Sequence, residues 1–396
     1  MRILHTADWH VGKPLRGRSR LDEHEAVLDE LVEVADAEAV DLVIVAGDLF
    51  DAASPPAEAE QVVYRALLGL AGRHRHVVVV AGNHDNPRRL AALQALFALA
   101  RVHIAVGVAR PDEGGVLELD VGGQTARVAL LPWLSQRYVV TAADLLAHDA
   151  AEHQQQYAGR VRTIVEALCA GASPNAVNLV VGHLFALGAT LGGGERHAHT
   201  VLDYAVPSQV IPTAVQYAAL GHLHRRQRID GPSPTWYPGS PLQLDFGETA
   251  DTKGALLVEV APGRPAKVTE VTLLAGRRLR TLRGTMAELG ALAGTTGTDW
   301  LRVVVDEPAR VGLADEVRDL FAHVVEVSVA AGEAAGAVGP ASEGRLARSP
   351  VELFGEYLAG RRVEDPRLEV AFADLLEAAQ AEGTAEDEAG VAGDAA

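Results

Sequence analysis

Five short clusters of metal-capable side chains occur in the first 224 residues, and each cluster follows an apolar run. They are Asp8 and His10 after RIL, Asp48 after DLVIV, Asn83, His84 and Asp85 after HVVVV, His183 after VNLVV, and His222 and His224 after YAAL. The runs have the length and the β-branched content of buried strands. A single Asp or His at a strand end is more often a cap or a structural residue. The repetition favours a shared site, because strand ends in an α/β sheet converge on one crevice.

The donor types indicate which metals this site would bind. Two Asp oxygens, one Asn oxygen and four imidazoles, without a thiolate, suit Mn, Fe, Co or Zn better than Mg or Ca. Seven ligands are too many for one ion, so the set predicts two ions bridged by a carboxylate. Such ions lie roughly 3.5 to 4 Å apart and clamp the attacking and leaving oxygens in phosphoester hydrolysis. His84, beside a ligand and followed by Asp85, is the natural general acid.

The elements that would position these residues form an α/β domain over residues 1–275. Apolar runs alternate there with stretches of helical periodicity, such as LDEHEAVLDELVEVADAEA, AEAEQVVYRALLGLAG and RRLAALQALFALAR. Residues 276–330 change rhythm and predict a small α+β unit, followed by a flexible linker rich in Ala and Gly at 331–349. Residues 350–380 predict two amphipathic helices that are too small for a core of their own, and 381–396 an acidic tail. The apolar faces of these helices would cover their own domains or bind an external partner.

Composition limits the classes of partner. The chain of 396 residues carries a net charge of −18, which repels polyanions at long range. Part of this charge lies in residues 376–396, which hold six acids and no base, whereas the arginines are bunched near the clusters. Arg16, Arg18 and Arg20 are candidates for phosphate contacts, or else exposed solubilising residues. The single cysteine cannot form an internal disulfide, and no apolar run approaches a membrane span, so we expect a cytoplasmic protein.

The longer motifs around the clusters narrow the interpretation. The chain contains DWHVGKPL, GDLFDAASPP, GNHD, GHLFALGA, GHLHRRQ, YPGSPLQLDFGE and SPVELFGEYL in this order. This set resembles the calcineurin-like metallophosphoesterases and, among them, the SbcD family of nuclease subunits, up to about residue 380. A minor departure is Val11, where the family often has leucine. The resemblance implies a four-layer metallophosphoesterase β-sandwich flanked by helices, with a small α+β capping domain and C-terminal helices.

The resemblance also implies roles for the individual residues. Asp8, His10 and His224 would hold one metal ion, Asn83, His183 and His222 the other, and Asp48 would bridge them. His84, steered by Asp85, would contact the scissile phosphate and assist the leaving oxygen. The ions would be divalent, with manganese the first choice.

The partners implied by the resemblance are DNA and an ATPase. The capping domain would steer double-stranded and hairpin DNA, which the enzyme would cut as an exonuclease and a hairpin-opening endonuclease in repair and recombination. Leu353, Phe354, Tyr357 and Leu358 would bind the coiled coil of an SbcC-type ATPase, in a heterotetramer with a nuclease homodimer. Two alternatives stay open, because fold does not fix substrate. They are a phosphomonoesterase or small-molecule phosphodiesterase on the same fold, and a scaffold without catalysis.

Overall fold

The computed structural model describes residues 1–72, 74–135, 150–193, 195, 205–330, and residues 354, 358 and 372; for 150–156 it describes the backbone alone. The chain divides into two compact units, Met1–Ala335 and Gly336–Ala396. Nearly all described elements belong to the first unit. Within the described residues, no helix is both long enough and apolar enough to cross a bilayer.

The first unit contains two six-stranded sheets. The first sheet has the order β14-β13-β1-β2-β3-β4, in which β1 to β4 run parallel and β13 and β14 are antiparallel to their neighbours. Its strands are β1 (Arg2–Thr6), β2 (Leu42–Val45), β3 (His76–Val80), β4 (Val102–Ala105), β13 (Gly254–Ala261) and β14 (Arg264–Thr272). The register pairs Ile3 with Leu42 and Leu42 with His76, so the first three parallel strands end side by side.

The second sheet has the order β11-β12-β10-β7-β6-β5, with parallel pairing from β12 to β6. Its strands are β5 (Val116–Val121), β6 (Gln124–Leu131), β7 (Val177–His183), β10 (Tyr217–Gly221), β11 (Gln227–Ile229) and β12 (Thr235–Tyr237). A short parallel pair, β8 (Phe185–Ala186) and β9 (Ala205–Val206), forms a separate two-stranded sheet.

The two sheets pack face to face, with helices on the outer faces. One core cluster lies between the sheets and includes Ile44 and Val78 from the first and Val128 and Val181 from the second. Outside the first sheet pack α1 (Leu21–Ala37), α2 (Ala57–Ala71), α3 (Pro87–Ala91) and α4 (Gln94–Ala98), and outside the second packs α5 (Ala150–Cys169). Strand β2 is apolar on both faces because Leu42 and Ile44 face the other sheet while Val43 and Val45 face the helices. The predicted four-layer α/β sandwich is confirmed.

The segment RRLAALQALFALAR differs from its prediction. Its periodicity predicts one helix from Pro87, but the chain turns at Ala92 and Leu93 and forms the separate helices α3 and α4. Leu90 and Phe97 are both buried in this arrangement, and the Gln94 side chain donates to the carbonyl of Ile104.

A third sheet follows at residue 279. Its order is β15-β16-β17, all parallel, formed by β15 (Leu279–Gly284), β16 (Trp300–Val305) and β17 (Val324–Val329), with α6 (Met286–Ala291) and α7 (Leu313–Leu320) between them. This small sheet has its own core cluster, which includes Leu289, Val303 and Val317. It belongs to the same compact unit as the two large sheets, so its status as a separate domain stays a prediction.

The second unit is described at three helical residues. The rings of Phe354 and Phe372 stack with centroids 4.2 Å apart and planes at 15°, and Leu358 is buried. Leu353 and Tyr357, also predicted to bind a partner, lie outside the described residues, as do the predicted linker and tail.

Candidate metal centre

The seven predicted ligands meet at the carboxyl ends of strands from both large sheets. Strands β1, β2 and β3 lead into the first three clusters, β7 ends at His183, and β10 leads into His222 and His224. Six of the seven are buried, and Asn83 is half-buried. The sequence predicts that the clusters converge on one crevice, and the five clusters do lie together in the structure.

The backbone turns sharply where the ligands occur. Asp8, His10, Asp48 and His222 have φ angles of 53°, 47°, 52° and 107°, a region that residues other than glycine rarely occupy. Cross-strand hydrogen bonds hold this conformation, since Asp8 N–H donates to Gly47 O and His10 N–H donates to Asp48 O, each at 3.0 Å. Strained backbone of this kind clusters at functional sites, where the surroundings enforce it.

Two glycines leave the space that the ligands occupy. A Cβ atom on Gly47, whose φ is +92°, would lie 2.2 Å from Nδ1 of His183. A Cβ atom on Gly82 would lie 2.1 Å from Oδ1 of Asp48. The glycines of AGDLFD and AGNHD are therefore required by close approach to a ligand, and not only by turn geometry.

One group of donors contains Asp8, His10 and His224, whose ligand atoms all lie within 4.8 Å of one another. Nε2 of His10 and Nε2 of His224 are 3.1 Å apart. The backbone N–H of His222 donates to both Asp8 oxygens, at 2.9 and 3.1 Å, which fixes that carboxylate.

A second group of donors surrounds Asn83. Its Oδ1 atom lies 3.0 Å from Nε2 of His183 and 3.0 Å from Nδ1 of His222. Asp48 lies between the two groups, because its Oδ2 atom is 3.5 Å from Nε2 of His10 and 3.4 Å from Nε2 of His183. Asp48 also belongs to a donor group with Asp8 and His183 and to another with His10 and His84.

These contacts fit a pair of divalent cations. Ring nitrogens of the four imidazoles lie 3.0 to 3.5 Å from another imidazole, from the amide oxygen of Asn83 or from the carboxylate of Asp48, which is close enough for shared cations to link these donors. The donor set is nitrogen and oxygen without sulfur, which suits first-row transition ions. The central position of Asp48 suits a bridging carboxylate.

The electrostatics of the two aspartates differ. Burial raises the pKa of Asp8 to about 7, although His183 and His224 oppose this. Burial also acts against ionisation of Asp48, but His183, together with His10 and His84, outweighs it and holds the pKa of that carboxyl well below its usual range. Burial lowers the pKa of His10 to about 3, so its imidazole stays neutral at pH 7, the form that binds metal.

Residues outside the predicted set orient several of the histidines. Nδ1 of His183 lies 2.8 Å from the carbonyl oxygen of Ala46, and Nδ1 of His224 lies 2.9 Å from Oε1 of Glu248. Trp133 stacks on His222, with centroids 5.0 Å apart and planes at 26°.

The ring of His84 is held differently from the prediction. Its Nδ1 atom lies 2.7 Å from the backbone carbonyl of Asp51, whereas the Asp85 carboxylate accepts from the N–H groups of Gly82 and Phe50, at 2.9 and 3.2 Å. Asp85 therefore braces the turn that carries Asn83 and His84, and Asp51 supplies the partner of the ring.

The three arginines predicted to contact DNA have different surroundings. Arg16 forms ion pairs with Glu326 at 2.6 Å and with Asp245 at 3.1 Å. Arg20 is buried and forms a bidentate ion pair with Glu23. Arg18 is exposed, with its guanidinium carbon 6.0 Å from the centre of the Trp300 ring. Arg16 and Arg20 thus form ion pairs within the protein. The partners of Arg16, Asp245 and Glu326, lie far from it in sequence.

Comparison with known proteins agrees with this geometry. The model of the calcineurin-like phosphoesterase family matches residues 1–225. The chain is 37% identical over 283 residues to the SbcD subunit of the SbcCD nuclease from Bacillus subtilis, covering 70% of this chain and 71% of that protein. The chain belongs to the SbcD family of calcineurin-like phosphoesterases. It is therefore an enzyme, a metal-dependent phosphodiester hydrolase.

Further SbcD relatives show the same extent of match. The SbcD protein of Escherichia coli K12 is 33% identical over 301 residues, covering 74% of this chain and 73% of its own. The Rhodobacter capsulatus protein of the same name is 37% identical over 274 residues, with 66% and 67% covered. A solved structure, a dimetal phosphatase from Danio rerio, aligns with a TM-score of 0.40 at 11% identity, covering 69% of this chain and 99% of its own.

Proposed function

We propose that the protein is a DNA nuclease that hydrolyses phosphodiester bonds at a centre of two divalent metal ions, with manganese as the preferred ion. The observation that carries the proposal is the geometry of Asp48, whose Oδ2 atom lies 3.5 Å from His10 and 3.4 Å from His183, between two donor groups. Asp8, His10 and His224 would hold one ion, and Asn83, His183 and His222 would hold the other. When bound, the ions would supply Lewis-acid stabilisation of the negative charge that develops on the phosphate oxygens.

His84 is the proposed general acid. Its Nδ1 atom faces the Asp51 carbonyl at 2.7 Å, so a proton on Nδ1 donates to that oxygen and Nε2 is left to deliver a second proton to the leaving oxygen. The His84 ring packs edge-on against His10, with centroids 4.6 Å apart, which keeps it beside the ligands. The backbone N–H of His84 donates to Asp48 Oδ1 at 2.9 Å and fixes the distance between the acid and the bridging carboxylate.

The DNA would pass beside the small third sheet, which serves as the capping domain over residues 276–330. Arg18 is the candidate for a phosphate contact because it is exposed and lies beside Trp300 at the start of β16. Such contacts position DNA without reading its sequence. Double-stranded ends and hairpins are the proposed substrates.

The proposed partner is an SbcC-type ATPase, which Phe354 and Leu358 would contact together with Leu353 and Tyr357. In the relatives, SbcD is by name one component of the SbcCD nuclease. We expect a heterotetramer built on a nuclease dimer, located in the cytoplasm. The stacking of Phe354 on Phe372 supports a preformed helical element for this contact.

The test compares substrates. The full chain, with and without the partner ATPase and ATP, is incubated with Mn²⁺ and end-labelled linear duplex, hairpin DNA, a chromogenic phosphodiester or a phosphomonoester. We expect cleavage of both DNA substrates and little turnover of the monoester. Equal or better turnover of the phosphomonoester, with no DNA cut under any condition, would establish the alternative phosphatase function instead.

A further inference from the structure

The loop after β12 contains a buried carboxylate whose role the ligand set does not include. Glu248 is 0% exposed, and its Oε1 atom lies 2.9 Å from Nδ1 of His224. Its Oε2 atom lies 2.8 Å from Nζ of Lys253 and accepts from the backbone N–H of Leu244 at 2.9 Å. Both carboxylate oxygens are therefore engaged, and one of them contacts a proposed ligand.

Lys253 contacts both Glu248 and the backbone of His224. Its Nζ atom donates to the backbone carbonyl of His224 at 2.7 Å, so Glu248 and Lys253 hold both the ring and the main chain of His224. Burying an ion pair costs several kcal/mol per ion in desolvation and seldom adds net stability. A buried pair at this position is therefore better explained by its effect on His224 than by stability alone.

Two other rings in the centre have contacts of a different kind. The Nδ1 atoms of His183 and His84 face backbone carbonyls, those of Ala46 and Asp51. A carboxylate partner holds the N–H of a ligand histidine more strongly than a carbonyl does and makes the metal-facing nitrogen more basic. His224 has a partner of this stronger type within hydrogen-bond distance.

We propose that Glu248, locked by Lys253, is the positioning residue of His224, and that it makes the ion held by Asp8, His10 and His224 the more tightly bound of the two. This inference rests on the proposed two-ion centre. Glu248 accepts the Nδ1 proton of His224, which leaves Nε2 of the ring to face Nε2 of His10.

The second ion has weaker donors. Asn83 offers a neutral amide oxygen in place of the Asp8 carboxylate, and the ring of His183 is oriented by the carbonyl of Ala46 at 2.8 Å. A neutral oxygen and a carbonyl-supported imidazole attract a cation less than a carboxylate and a carboxylate-supported imidazole do. We therefore expect the second ion to be the first to be lost.

The test measures Mn²⁺ binding to the full chain by isothermal titration calorimetry. Wild-type protein is expected to bind two ions with unequal affinity. Glu248→Gln keeps the size of the side chain and removes its charge, and we expect the tighter site to weaken roughly 10- to 100-fold while the weaker site is unchanged. Cleavage by this variant should need more Mn²⁺ for half-maximal rate and recover when Mn²⁺ is in excess.

Two further variants separate positioning from folding. Glu248→Gln with Lys253→Gln avoids an unpaired buried ammonium group and should show the same loss at one site. Glu23→Gln alters a buried carboxylate that pairs with Arg20 and accepts from Trp300, and it should leave both Mn²⁺ affinities unchanged.

Each negative result has a distinct meaning. Wild-type affinities at both sites in the two Glu248 variants would overturn the inference, and so would equal weakening of both sites. Binding of fewer than two ions by the wild-type chain would instead refute the two-ion centre on which the inference rests.

Discussion

Arg16 either forms ion pairs within the protein or contacts a DNA phosphate, and these two roles can be distinguished by experiment. Its Nε atom donates to Glu326 on β17 at 2.6 Å, and its Nη1 atom donates to Asp245 at 3.1 Å. These contacts join the segment after the first ligand cluster to the third sheet and to the loop that carries Glu248. Replacing Arg16 by Gln removes this connection, and Glu326→Gln removes half of it without changing Arg16.

The expected magnitudes follow from exposure and charge. The Arg16 side chain is 39% exposed, so solvent screens each pair and each contributes about 0.2 to 1 kcal/mol. A phosphate contact has a different signature, because each one contributes about 0.9 to the slope of log K against log salt concentration. We expect both variants to lower stability slightly and neither to change that slope.

The assay is fluorescence anisotropy of a labelled duplex over a series of salt concentrations, with the full chain bound to its ATPase. Arg18→Gln serves as the matched control, and its slope should be shallower by about one unit because the exposed Arg18 is the proposed phosphate contact. A salt slope reduced by about one unit in Arg16→Gln, but not in Glu326→Gln, would refute the structural role and show that Arg16 contacts a DNA phosphate.

Three further predictions concern the centre, the partner and pH. His84→Gln should keep both metal ions by elemental analysis and lose cleavage by about 100-fold or more, because a general acid is removed but no ligand; loss of metal would make His84 a ligand. Truncation at residue 345 should abolish co-purification with the ATPase and leave metal content intact, whereas an unchanged complex would mean that the C-terminal helices cover their own protein. His5 contacts the Tyr217 hydroxyl, and burial lowers its pKa to about 3. The folded state therefore binds a proton on His5 only at a lower pH than the unfolded state does, and stability falls as the pH drops below 6.5. In urea unfolding with a chelator, the stability lost between pH 7.5 and 5 should be smaller by roughly 2 kcal/mol in His5→Gln than in the wild type and in the exposed control His74→Gln; equal pH dependence in all three proteins would contradict the burial effect.

The sequence predicts the strands and the ligands because both depend on local pattern. The runs LVIV and HVVVV are buried on both faces, and a buried parallel strand requires such composition. The grouping of the candidate ligands is predictable because parallel strands that start in register also end together. Their division into two groups came from family resemblance, and the position of Asp48 between His10 and His183 is consistent with it.

The residues that orient the ligands could not be predicted in the same way. Glu248 lies 24 residues from His224, and Glu326 lies 310 residues from Arg16, so their contacts depend on how the chain returns to the site. The local signal for Glu248 is its place at the end of YPGSPLQLDFGE, a motif that indicates the family but not a contact. Asp85 misleads for the opposite reason, since adjacency to His84 suggests a ring contact while its carboxylate caps the turn.

The number of metal ions per chain tests the central claim most directly. Wild-type protein dialysed to equilibrium against excess Mn²⁺ and measured by elemental analysis should bind two ions per chain, and Asp48→Asn should bind fewer because the shared ligand loses its charge. One ion in the wild-type chain, or two ions in Asp48→Asn with unchanged affinity, would contradict a two-ion centre bridged by Asp48.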